Sequence, residues 1–250
     1  MNGPPETRYA RNGVVHLAYQ VVGTGPVNLV VVSSGPSSHV EFMWTQRSVA
    51  RSLRRLASFS RLVLYDNRGV GLSDPVPAGA VPTMDEEVDD VRAILDETRC
   101  ARAVIMGYLT GCAPALMFAA SHPERVDSLV LVGGYARLRE AADYPHGVGQ
   151  AHIDQIADAV LKTWGSRADM GLINPSAAGD EDFRRWYAQF QRMSASPGTA
   201  AAMARLWFDV DVRSALPVIT VPTLVIGRGA NPLYEARHTR YLADHISGAR

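Results

Sequence analysis

The sequence predicts an α/β protein, and three observations carry that prediction. Short, β-branched apolar runs recur with amphipathic stretches between them. A strand, a tight turn and a helix start follow one another without a gap at 104–111. Thr83-Met84-Asp85-Glu86 opens a helix with a capping box. Successive strands at this spacing imply right-handed βαβ crossovers and a largely parallel sheet covered on both faces. A chain of 250 residues can bury such a core as one domain with an insert.

Residues 14–22 and 28–33 are β-rich runs separated by Gly23-Thr24-Gly25-Pro26, and Asn12-Gly13 marks an earlier turn. The chain therefore opens with antiparallel strands at one edge of the sheet. An arginine-rich amphipathic stretch at 49–56 and a strand at 61–65 follow, then the loop Asp66-Asn67-Arg68-Gly69-Val70-Gly71-Leu72-Ser73-Asp74. In the capping box the Thr83 hydroxyl can accept an N-terminal amide while Glu86 reaches back. Val88, Val91 and Leu95 then fall at helical spacing, to about Thr98. A strand at 103–106 enters the tight turn, and the helix after it runs through Ala119 and stops at His122-Pro123, because a residue before proline disfavours helical geometry. Residues 128–132 form a further strand.

From Tyr135 to Arg213 the pattern is helical only. Ile153, Ile156, Val160 and Leu161 share one helix face, and Phe183, Trp186, Tyr187 and Phe190 share another. A strand at 223–227 and a helix at 234–246 resume the alternation. The expected organisation is a core of residues 1–134 and 214–250 with a helical lid inserted at 135–213.

The 25 basic residues balance the 25 acidic ones, which gives no electrostatic reason to expect nucleic acid or an anionic membrane as partner. Cys100 and Cys112 form no C-x-x-C pair, the usage of a reduced protein without disulfides. The first residues lack the charged and apolar regions of a secretory signal, and no apolar run reaches the roughly 18 residues of a membrane span. The expected location is cytoplasmic.

The chemistry turns on Val104-Ile105-Met106-Gly107-Tyr108-Leu109-Thr110-Gly111, which has the layout of a G-x-S-x-G nucleophile elbow. Leu109 stands where the serine would be, and an alkyl group can neither attack a carbonyl nor donate a proton. It either packs, plugging the hollow, or leaves the hollow for a ligand. Thr110 and Cys112 offer a hydroxyl and a thiol nearby, but Cys112 falls a helical turn inward and has no evident activating base. His39-Val40-Glu41 has two ligating residue types, yet neighbouring positions point apart and no third ligand is suitably spaced, so no metal or other cofactor is expected. His122 ends a helix and His245 falls on an exposed helix face. Trp186, Tyr187, Phe190, Trp207 and Phe208 read either as lid core or as pocket lining.

Three signatures, Ser34-Gly35-Pro36, the loop from Asp66 to Ser73, and the elbow followed by His122-Pro123-Glu124-Arg125-Val126, make the chain resemble the α/β-hydrolase superfamily over nearly its whole length. A finer resemblance is to the hydrolase-like domain fused upstream of class III adenylate and guanylate cyclases in actinobacteria. It is carried by 53–59 with Ser60-Arg61, 141–145, Asp211-Val212-Arg213 and 241–246. The superfamily resemblance implies a serine nucleophile oriented by a histidine and an acid, with two backbone amides for the oxyanion. Carried over residue by residue, the nucleophile position is Leu109 and the acid position is Asn231. Thr110 supplies one oxyanion amide, and Pro36, at the other, has no N–H to give. Asp66, Arg68, Gly69 and Gly71 brace neighbouring loops. The histidine belongs after a further strand beginning near Ala249-Arg250, so the 223–227 strand is expected to present an uncovered edge. The resemblance implies a degenerate triad in a non-catalytic module that binds a small apolar ligand or, in relatives, serves a cyclase output domain. The competing expectation is an esterase or lipase with a different nucleophile.

Overall fold

The computed structural model describes residues 4–77, 80–145, 147–166, 174–229 and 235–250. Among these the strands are β1 (Thr7–Asn12), β2 (Val15–Val22), β3 (Val27–Val32), β4 (Ser60–Tyr65), β5 (Ala103–Tyr108), β6 (Val126–Val132) and β7 (Thr223–Ile226). They form one sheet in the order β1-β2-β4-β3-β5-β6-β7. β1 pairs antiparallel with β2 and β2 antiparallel with β4; every later pair is parallel. The α/β fold class read from the sequence is the observed one, with its antiparallel pair at one edge.

Period-two alternation sorts the side chains between the two faces. On β4, Val63 and Tyr65 join the core under α2 (Met84–Glu97) and α3 (Cys112–Ser121), with Val91, Ile94, Leu116 and Phe118. Leu62 and Leu64 face the other way, into a second core with Leu53 and Leu56 of α1 (Arg47–Ala57). The capping box is formed: the Glu86 amide donates to Thr83 Oγ1 at 3.2 Å, and the Thr83 amide donates to the Glu86 carboxylate at 2.8 Å.

The chain leaves β3 for β4 on one side and, after crossing back, leaves β5 for β6 on the other. β3 and β5 are neighbours, so their C-terminal ends flank a switch point, where connections diverge and open a crevice. Ser34-Gly35-Pro36 follows β3 and Leu109-Thr110 follows β5 at that crevice.

Over the crevice lie α4 (Gln150–Thr163), α5 (Glu181–Ser194) and α6 (Pro197–Asp209). Two expectations for this segment are corrected. It is not helical throughout: isolated bridges join Arg137 to Asp211, Arg139 to Val148 and Ala141 to Tyr144, with Arg137 and Arg139 ion-paired to Asp211 and Asp209. Leu161 does not share the buried face of α4: Ile153 is buried and Ile156 packs beside it, but Leu161 is exposed, because the helix turns it away from the face that meets α6. After β7 comes α7 (Ala236–His245). The β7 edge is not bare along its length, since the Val225 amide donates to the Arg250 carbonyl at 2.8 Å and the Arg250 amide to Thr223 O at 3.1 Å. No helix among the described residues is long and apolar enough to cross a membrane.

Candidate functional site

Leu109 holds a left-handed backbone conformation, φ +51°, at the tip between β5 and α3. An L-residue with a γ-branched side chain adopts this at a cost of about 1–2 kcal/mol, so the surrounding packing has to impose it. Glycines on either side permit the turn. A Cβ on Gly107 would stand 2.7 Å from Cys112 Cα, and one on Gly111 would overlap the Val32 carbonyl oxygen, so the helix start could not close onto β3.

The Leu109 side chain, partly buried, packs against the cluster of Tyr135, Leu138, Ile153 and Phe208. One of its methyls lies 2.9 Å from where a Gly133 Cβ would be, and Arg228, just past β7, reaches the same point at 2.8 Å. Leu109→Ala is therefore expected to lower the unfolding free energy by about 1–2 kcal/mol, below the range for fully buried leucines, as urea denaturation would show.

Thr110 is buried, and its hydroxyl donates to the Ser34 carbonyl at 2.6 Å, tying the β3 turn to the elbow. Gly35, at φ +89°, lies under the Trp207 indole of α6, which occupies the space a Cβ would need. Pro36, buried beside it, offers no amide. Cys112 is fully buried; its thiol donates to Gly107 O at 3.2 Å, and burial pushes it up to about 12, which rules out a thiolate at neutral pH. Asn231 lies outside the described residues.

The histidines His16, His39, His122, His238 and His245 engage Asp74, the Phe42 amide, Ser121, Tyr144 and Tyr241, none of them an elbow residue. His39 and Glu41 turn to different partners, Glu41 accepting from the Thr7 hydroxyl at 2.7 Å.

The loop residues form two knots. Asp66, fully buried, accepts from Ser38 Oγ at 2.5 Å and from the Leu72 amide at 3.0 Å; desolvation pushes its carboxyl up, opposed by these bonds. A Cβ on Gly71, φ +59°, would overlap that carboxylate, and the Gly71 amide donates to Ser194 O at the end of α5. Gly69, φ +81°, packs on Val76. Arg68 forks onto Asp90 at 2.7 and 2.6 Å and reaches Glu86 at 2.7 Å.

The aromatic residues divide. Trp186 and Phe190 stack with Phe42, and Tyr187 packs against Phe190 and Trp186, so these clamp α5 to the segment after β3. Trp207 covers Gly35 on the turn after β3, and Phe208 packs with Leu109 of the elbow.

Sequence reasoning missed Glu87. Both its carboxylate oxygens accept from Ser34 Oγ, at 2.9 and 3.1 Å, and burial pushes it up to about 7. It sits in the first turn of α2, where an acid is expected to serve only the helix dipole, and its partner is 53 residues away.

A mostly parallel sheet with an elbow at its switch point and helices over the crevice defines the α/β-hydrolase fold. The chain belongs to the family described as serine aminopeptidase, S33, whose model matches residues 25–250. It is 27% identical over 246 residues to a probable esterase of Oryza sativa subsp. japonica, covering 94% of this chain and 86% of that one. It is 25% identical over 246 residues to the Karrikin insensitive 2 receptor CA of Petunia hybrida, with the same coverage of each. Among solved structures it is similar to a hydrolase from Pseudomonas aeruginosa, with a TM-score of 0.76, 25% identity, and coverage of 98% and 88% of the two chains.

Proposed function

We propose that this protein is a non-catalytic member of the superfamily: a small-molecule-binding or regulatory module with a degenerate triad, whose hollow under the inserted helices takes a small apolar ligand. The observation that carries this reading is Leu109, an alkyl side chain held in the strained tip geometry and packed into the apolar cluster below α4 and α6. Loss of a catalytic serine alone lowers turnover by about 10⁶ in a serine protease, and loss of one oxyanion donor by about 10²–10³. The first is sufficient by itself. That relatives carry the names of an esterase and of a receptor supports a fold serving both kinds of role. The reading includes a cytoplasmic setting and kinship with cyclase-associated domains, where occupancy of the hollow would be passed to a cyclase output domain.

Thermal unfolding against a panel of esters, lactones and fatty acids tests it. A ligand that binds only the folded state raises Tm with concentration, by about 2.7 kcal/mol of stability at a hundredfold excess over Kd. Short p-nitrophenyl esters and a fluorophosphonate probe are expected to give neither turnover nor labelling above a denatured control. Labelling of a side chain, with turnover abolished by its substitution, would establish the competing esterase reading.

A further inference from the structure

Beside the elbow lies a cavity of about 40 Å³ lined on one side by Ser34, Glu87 and Thr110, with Tyr135 and Trp207, which carry a phenol and an indole N–H, among its other walls. The Ser34 and Thr110 hydroxyl hydrogens are already committed. Ser34 Oγ donates to Glu87 and Thr110 Oγ1 donates to the Ser34 carbonyl. What these three side chains still offer is lone pairs. Among the described residues Glu87 has no ion-pair partner, since Arg68 is taken by Asp90 and Glu86. A part-buried carboxylate bonded to one hydroxyl and to no cation is under-compensated. The complement of these three acceptors is a ligand that carries one positive charge and N–H donors. The volume is a few times the roughly 10–15 Å³ that one enclosed water needs, which limits the ligand to the smallest cations of that kind.

We propose that this cavity binds a compact primary ammonium ion, ammonium itself or methylammonium, with Glu87 as counter-ion and the Ser34 and Thr110 oxygens as further acceptors. The site does not depend on whether Leu109 is inert. Binding requires the ionised carboxylate. Burial, Asp90 and Glu86 raise the Glu87 carboxyl, while the Ser34 bond and Arg68 lower it, leaving it at about 7. Affinity therefore rises with pH up to about that point and is level above it.

The test is thermal unfolding of the whole chain at pH 8 with methylammonium chloride, compared with sodium chloride and tetramethylammonium chloride at equal ionic strength. A Tm rise specific to methylammonium is expected, with apparent affinity falling about tenfold between pH 8 and pH 6. Glu87→Gln, which keeps an acceptor for Ser34, should remove the response, and Ser34→Ala should weaken it. Line broadening of ¹³C-methylammonium in the presence of the protein gives a readout independent of stability. An equal response to all three salts, a response that survives Glu87→Gln, or no response and no broadening at 100 mM on the order of the weakest useful affinity overturns the site.

Discussion

Arg68→Ala is expected to destabilise the protein by about 3–5 kcal/mol, the range for removing one partner of a buried ion pair. Arg68 and Asp90 are 7% and 2% exposed, and the guanidinium bonds both Asp90 oxygens while reaching Glu86. Without it, Asp90 keeps one side-chain donor, Asn12 Nδ2 at 2.8 Å, and a buried charge stands uncompensated. Arg68→Lys should fall between, since an ammonium supplies charge but not the planar fork. The double variant R68M/D90L, which removes both charges and keeps apolar volume, should recover most of the loss. Urea denaturation of the three proteins checks the order. Equal losses in the single and double variants would show that the loop, rather than the charge pair, carries the effect.

Much of this architecture was legible in the sequence because it is encoded locally. The Thr83–Glu86 capping box needs only four consecutive residues, and the observed helix starts where it says. The β4 strand shows because its two faces meet different cores and Leu62, Val63, Leu64 and Tyr65 alternate between them. The elbow shows because Gly107 and Gly111 are dictated by close approaches to Cys112 and Val32. What stayed hidden depends on partners far along the chain. The bridges at 137–148 are held by ion pairs to Asp209 and Asp211, about seventy residues away, and have no hydrophobic period of their own. The split of the aromatic group between α5 and α6 follows from which helix meets Phe42 and which meets Gly35, a tertiary fact. Arg228 had no local signal beyond its place at the C-terminal end of a strand.

Glu87 gives the protein a stability that falls as pH rises across the neutral range. In the unfolded chain its carboxyl titrates at the ordinary 4.5, and in the folded protein at about 7. Between those values the folded state holds a proton that the unfolded state has lost, so the unfolding free energy declines with increasing pH. Below about 4.5 both states are protonated, and above about 7 neither is, so the contribution is level outside the window. One pKa unit corresponds to about 1.4 kcal/mol, which sets about 3.5 kcal/mol as the ceiling for the full window; screening from its partial exposure lowers the figure. Asp66, whose carboxyl is also raised by burial, adds a decline of the same sign, whereas Glu86, held low by the Thr83 amide and then Arg68, and Asp211, held low by Arg213 and Arg137, contribute stability that is lost only in acid. These background terms are common to wild type and Glu87→Gln, so their difference isolates one group. In an ammonium-free buffer the variant should match wild type near pH 5 and exceed it by about 2–3 kcal/mol at pH 8, within the ceiling set by linkage. Parallel stability curves from pH 5 to pH 8 would place the Glu87 carboxyl in solvent, outside the niche formed with Ser34.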